Sequence, residues 1–194
     1  MIFTETKLNG VFVIDLEKIE DERGFFARTW DQKKFEERDL NPKLVQCSIS
    51  FNKKKGTLRG MHYQISPYEE AKLVRCTRGK IFDVVIDLRT NTKTFKKWVE
   101  VELSAEDHRS LYIPEGCAHG FQTLKDNTEV LYQISETYKP ECARGVLWND
   151  PAFQIQWPFK SPAVISKKDL SYELFNEKNT IKGHKSFNEN GYKK

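Results

Sequence analysis

Short runs of β-branched and aromatic residues, cut by turn formers, dominate the pattern of this chain. Residues 11–16 (Val-Phe-Val-Ile-Asp-Leu) predict a first strand, Asp21-Glu22-Arg23-Gly24 a turn, and residues 25–30 a second strand. Asp31 is a good N-cap for one helix over residues 32–38, which Asn41-Pro42 ends. Beyond it the pattern predicts strands at 44–51, 57–64, 72–77, 80–88, 98–103, 110–113, 118–124, 129–138 and 145–148. Gly56, Gly79, Pro114-Glu115-Gly116 and Lys139-Pro140 punctuate them. Many short strands without helices between them argue for an all-β sandwich or barrel of the jelly-roll kind. Residues 81–88 are apolar on both faces apart from Asp83 and Asp87, which fits a strand covered on both sides. Asp83 is then a candidate cavity-lining carboxylate, and Asp87 reads as a strand-end carboxylate near solvent. Residues 176–194 are polar and lysine-rich with no periodic apolar face, so the expected domain is 1–175 followed by a loosely held tail.

Composition narrows the function classes. The 194 residues are 38% hydrophobic, enough for one domain with a sizeable core. The 32 basic and 28 acidic residues leave a net charge of +4 scattered along the chain, which points to neither nucleic acid nor membrane as a partner. The N-terminus carries no basic segment followed by an apolar run, and no apolar stretch reaches about 18 residues. The expectation is a soluble, cytoplasmic protein. Cys47, Cys76, Cys117 and Cys142 have no C-x-x-C spacing and read as reduced thiols, mostly filling the core.

The richest stretch is Gly56-Thr57-Leu58-Arg59-Gly60-Met61-His62-Tyr63-Gln64. In a regular strand Arg59 and His62 would point to opposite faces, unless Gly60 breaks the pleat and aims both into one cavity. Arg suits a phosphate and His a proton near neutral pH, so the pair suggests a phosphorylated ligand beside an acid–base centre. A surface arginine and a hydrogen-bonded core histidine are the plain alternative. A jelly-roll metal site uses two histidines one residue apart, whereas His62 is followed by Tyr63 and Gln64. No metal is expected. No G-x-S-x-G nucleophile elbow occurs, and Cys117, two before His119, is better explained by packing. General acid–base chemistry remains. His62, Lys72 and Tyr132 can supply base, oxyanion partner and acid, with Asp169 orienting the imidazole. Taken singly, Lys72 also reads as a strand-edge lysine, Tyr132 as a barrel-wall aromatic, and Asp169 as a cap for a helix over 170–175.

Seven blocks occur in the order of one family: Asp21-Glu22-Arg23-Gly24-Phe25-Phe26, the Gly56 to Gln64 stretch, Ala71-Lys72-Leu73-Val74-Arg75, Asp83 to Arg89, Ile113 to Phe121, Tyr132 to Pro140, and Ser166-Lys167-Lys168-Asp169. Over about residues 1 to 175 the chain resembles the dTDP-4-dehydrorhamnose 3,5-epimerase family of nucleotide-sugar epimerases. The resemblance implies a cupin jelly roll (double-stranded β-helix) with short flanking helices, forming a homodimer in which an N-terminal segment crosses to the partner. It implies no metal and no redox cofactor. His62 would be the proton acceptor oriented by Asp169, Tyr132 the acid on the opposite face of the sugar, and Lys72 the partner of the enolate oxygen. Arg23, Arg59 and His119 fall at diphosphate- or sugar-binding positions, Lys168 at another ligand contact, and Tyr138 at the aromatic that stacks on the nucleobase.

Three departures touch the nucleotide end. Arg28 stands where thymidine-linked relatives carry glutamate; the Q-x-N element reads Gln46-Cys47-Ser48, with a loop to Gly56 longer by one residue; and Ala143, beside Arg144, replaces a glutamate. Stacking tolerates any base, whereas an unpaired buried polar edge costs about 1–3 kcal/mol. The expectation is a 3,5- or 3-epimerase of a 4-keto sugar, hexose or longer, carried on dTDP or on GDP, in surface polysaccharide biosynthesis. A 3,4-ketoisomerase and a non-catalytic nucleotide-sugar-binding barrel are the alternatives.

Overall fold

The computed structural model describes residues 1–176, so the tail assigned to 176–194 lies outside the described residues beyond Asn176. Its elements are β1 (Ile2–Glu5), β2 (Phe12–Asp15), β3 (Ile19–Asp21), β4 (Gly24–Phe26), α1 (Gln32–Glu36), β5 (Gln46–Asn52), β6 (Leu58–Gln64) and β7 (Lys72–Arg78). There follow β8 (Lys80–Asp87), β9 (Trp98–Ser104), β10 (Ser110–Ile113), β11 (Cys117–Thr123), β12 (Thr128–Ile134), β13 (Ala143–Gly145) and α2 (Lys167–Leu170). Two antiparallel sheets, ordered β1-β2-β10-β7-β12-β5 and β13-β6-β11-β8-β9, face each other as a cupin jelly roll, with β3–β4 as a separate hairpin. Among the described residues no helix is long and apolar enough to cross a membrane.

Alternation along the strands builds three apolar layers. Val74, Cys76, Val85, Leu111, Phe121 and Val130 point between the sheets. On the outside of the five-stranded sheet, Leu58, Met61, Val84, Ile86 and Ala118 are covered by Val146, Phe153 and Trp157 from the C-terminal segment. This double cover explains why β8 is apolar on both faces. On the outside of the six-stranded sheet, α1 presents Phe35 to Met1, Ile14, Leu73 and Tyr112. Asp31 caps that helix, its side chain accepting a hydrogen bond from Lys34 N.

Several boundaries differ from the sequence expectation. β1 is too exposed to show an apolar run, and it forms by pairing with β2. The strand expected over 25–30 is only the Gly24–Phe26 arm of a hairpin, and α1 stops at Glu36. At the other end β12 stops at Ile134, and the strand expected over 145–148 is β13, because Val146 and Trp148 pack on the outer layer.

Asp87 is corrected outright, being buried instead of facing solvent. Its carboxylate accepts from Arg89 Nε at 2.8 Å and Nη2 at 2.9 Å, and from the Thr92 and Thr94 hydroxyls at 2.7 and 2.5 Å. Burial pushes its pKa up, but the Arg89 hydrogen bonds and charge outweigh that and hold it below the usual value. Cys76, Cys117 and Cys142 are buried free thiols and Cys47 an exposed one.

Candidate active site

The centre of the site is a break in β6. His62 lies opposite His119 and Arg59 opposite Phe121, so three steps along β6 match two along β11. The extra residue turns Arg59 and His62 onto the same inward face, while Leu58 and Met61 join the outer layer. Glycine is required at the break: Gly60 has φ +129, and a Cβ there would stand 2.5 Å from Gly120 Cα.

His62 Nε2 lies 2.7 Å from Asp169 Oδ1. With a carboxylate as acceptor, that nitrogen carries the proton and the other ring nitrogen is left as a base. Asp169 is aimed by α2, whose N-cap is Ser166. The reading of Asp169 as a cap for a helix over 170–175 is therefore replaced: it sits inside the turn, and Ser166 Oγ accepts from its backbone N. Burial would raise the Asp169 carboxyl, but the His62 hydrogen bond and charge, with Gly60 N–H at 3.5 Å, hold it below the usual value. Its side chain is 5% exposed against 41% for His62, so the pair is anchored at the acid and open at the imidazole.

Tyr132 stands on the other sheet. It pairs with Val74 and Ser48, and Val74 belongs to the layer between the sheets, so its ring points inward. Burial first, and then the Asp83 charge, raise its pKa over the opposing effect of Arg59, which keeps the phenol protonated. Its hydroxyl makes no hydrogen bond to a described residue. His119 bridges the walls, its ring 6.0 Å from that of Tyr132 and its Nε2 2.5 Å from Asp83 Oδ1. Asp83 thus lines the interior as expected, and its Oδ2 is buried with no hydrogen-bond partner among the described residues. Lys72 is not a solvated edge lysine. It is buried, paired with Glu70 at 2.9 Å, and donates to the His62 carbonyl at 3.3 Å.

The expected binding residues divide into two groups. Arg59 Nε donates to Asn52 Oδ1 at 2.7 Å across the two sheets. Gln46 Oε1 accepts from Tyr138 N at 2.9 Å, which ties β5 to the loop between β12 and β13. Lys168 is exposed on α2 beside Asp169. Arg23 and Arg28 are not brought into this group by a single chain: they pair with Asp21 and Asp31, and the Arg23 side chain is 84% exposed on the β3–β4 turn. Ala143 pairs with Gln64 and Gly145 with His62, so both share the inward face. Sequence reasoning missed Asn52, Gln64 and Glu70. Gln64 accepts from Lys139 N and donates to the Tyr68 and Thr137 carbonyls, fixing the loop that carries Tyr138. Glu70 was findable, because residues two apart on an extended segment share a face. Asn52 and Gln64 left no local signal, since their partners are remote in sequence. Among the described residues, no three His, Cys, Asp or Glu side chains converge as a metal-ligand set.

Comparison with known proteins identifies the family. A family model described as dTDP-4-dehydrorhamnose 3,5-epimerase matches residues 5–177. A dTDP-4-dehydrorhamnose 3,5-epimerase of Shigella flexneri is 44% identical over 172 residues, covering 88% of this chain and 94% of that protein. The crystal structure of an enzyme so named from Elizabethkingia anophelis superposes with a TM-score of 0.89 at 37% identity, covering 93% of this chain and 99% of that one. Another from Bacillus anthracis, with TDP and PPi bound, gives 0.85 at 38%, covering 90% and 99%. A cupin barrel with these relatives is an isomerase of the epimerase class. The chain belongs to the dTDP-4-dehydrorhamnose 3,5-epimerase family.

Proposed function

We propose that the protein inverts configuration next to the ketone of a nucleotide-diphosphate-linked 4-keto sugar, without a cofactor, in surface polysaccharide biosynthesis. The observation that carries this is the placing of His62, held by Asp169, and Tyr132 on opposite sheets of one barrel interior. A hydrogen on the carbon beside a ketone is acidic because its bonding pair delocalises onto the oxygen. His62 takes that proton, Lys72 faces the enolate oxygen, and Tyr132 returns a proton to the opposite face of the ring. The substrate supplies the electron sink itself. Arg59 and His119 hold diphosphate and sugar, Tyr138 stacks on the base, and Lys168 and Gln46 border the same ligand.

Arg23 and Arg28 fit this reading only in a homodimer. The β3–β4 hairpin that carries Arg23 exposes Ile19 and Phe26, each at 69%, and the outer face of β5 exposes Ile49 at 65%. Crossing of the hairpin onto a second subunit covers such surface and delivers Arg23 to the partner's cavity. Residues 1–175 form the catalytic unit and its location is cytoplasmic.

The decisive experiment is His62→Asn with proton-exchange NMR in deuterated water. Loss of ring-proton exchange with nucleotide affinity retained supports the assignment, and persistent exchange makes His62 the wrong base. Counting which ring carbons gain deuterium in the unaltered enzyme separates a 3,5-epimerase from a 3-epimerase. A carrier other than dTDP is favoured by one observation: Ala143, on the inward face with Gln64, offers no side-chain hydrogen bond to a base. Titration with dTDP and GDP decides between them, and clearly tighter dTDP binding removes the GDP reading.

A further inference from the structure

We propose that Tyr172 is a positioning residue of the proton-transfer site, clamping the His62 imidazole against Asp169. The proposal rests on His62 being the base. Tyr172 follows Asp169 by three residues and lies just past Ser171, the C-cap of α2, so the helix and the residues that leave it bring a carboxylate and an aromatic ring to the same neighbour. The carboxylate holds one ring nitrogen at 2.7 Å. The phenol ring stands 6.0 Å from the imidazole, inclined at 69°, an edge-type aromatic contact. Together the two contacts oppose rotation of the imidazole away from the cavity.

Gly145 supplies the second line of argument. It pairs with His62 across β13 and β6, so any side chain there would share the face of the imidazole. Its φ is not in the left-handed region, and its backbone alone does not call for glycine. What does is the ring: a Cβ at Gly145 would lie 2.2 Å from both Cε2 and Cζ of Tyr172. Tyr172 thus occupies the space of the missing side chain, as part of the wall beside His62. Burial, with the negative charge of Asp169 next, pushes its hydroxyl up to about 12, so the group is a neutral phenol at neutral pH and acts through its ring.

The test uses the full chain and the ring-proton exchange and turnover assays. Tyr172→Ala is expected to lower kcat about 10- to 100-fold, the order of loss that follows a small misplacement of a reacting group, with KM nearly unchanged. Tyr172→Phe restores nearly full turnover. Gly145→Ala, which must displace the ring, behaves as Tyr172→Ala, and the double variant is no worse than either single one. Wild-type kcat in Tyr172→Ala overturns the proposal. So does a Phe variant as slow as the Ala variant, which would make the hydroxyl the active feature, or a change confined to KM, which would make the ring a substrate contact. His62→Asn is run beside them: exchange persisting there defeats the base assignment itself, while its loss alongside an unaffected Tyr172→Ala defeats the clamp alone.

Discussion

Replacing Gly60 with alanine tests the physical origin of the site, because the break in β6 alone places Arg59 and His62 on one face. At φ +129 an L-residue is strained by about 1–3 kcal/mol. The added Cβ would also stand 2.5 Å from Gly120 Cα and 3.0 Å from the His119 carbonyl oxygen, main-chain atoms that no side-chain rotation can move. Forcing β6 and β11 apart adds about 1–3 kcal/mol, as overpacking does in a filled interior. A total near 4 kcal/mol lowers the melting temperature by about 8–16 °C for a chain of this size. Gly10 is the control. It too has a positive φ, +76, but a Cβ there would come no closer than 3.6 Å to its neighbours, so Gly10→Ala carries the backbone cost without the collision. Urea unfolding and thermal melting of both variants give the difference, and proton-exchange NMR reports whether His62 still reaches the sugar. Equal destabilisation of the two variants, or undiminished exchange in Gly60→Ala, would refute the account.

Three further predictions follow from the same geometry. Tyr132→Phe keeps the ring but removes the proposed acid, and epimerisation should fall about 10²- to 10⁴-fold while nucleotide binding in a titration stays intact. Because the Asp169 carboxyl is held below its usual 3.8, its contribution to stability is present above that pH and disappears as pH falls through the depressed folded value; wild type and Asp169→Asn should therefore differ in urea midpoint near neutrality and converge in strong acid. Asp87→Ala strands the buried Arg89 guanidinium and should destabilise the fold by about 3–5 kcal/mol in denaturant titration, while kcat of the folded fraction is unchanged.

The particular residues show where sequence reading works. Contiguous patterns were legible: the two-sided apolar run of β8, Asp31 as the cap of α1, and a glycine between Arg59 and His62 able to put both on one face. Failures came where a neighbour from elsewhere set the environment. Asp87 looked solvent-facing because its position at a strand end says nothing about Arg89, Thr92 and Thr94 folding back over it. β1 escaped notice because half of its reason to exist is the backbone of β2.

What the chain's own order of residues determined was the alphabet of the site: short alternating strands that must close into a barrel, a histidine beside a strand break, and an ordered set of blocks shared with one family. Which groups meet was decided by tertiary structure. His62 and Asp169 are 107 positions apart, and His119 and Asp83 are 36 apart. Tyr132 reaches their cavity from the opposite sheet. Hydrogen bonds and charge effects act over a few ångströms of space, so no local pattern encodes such pairs; only the closing of two sheets on each other gathers these imidazole, carboxylate and phenol groups into one interior.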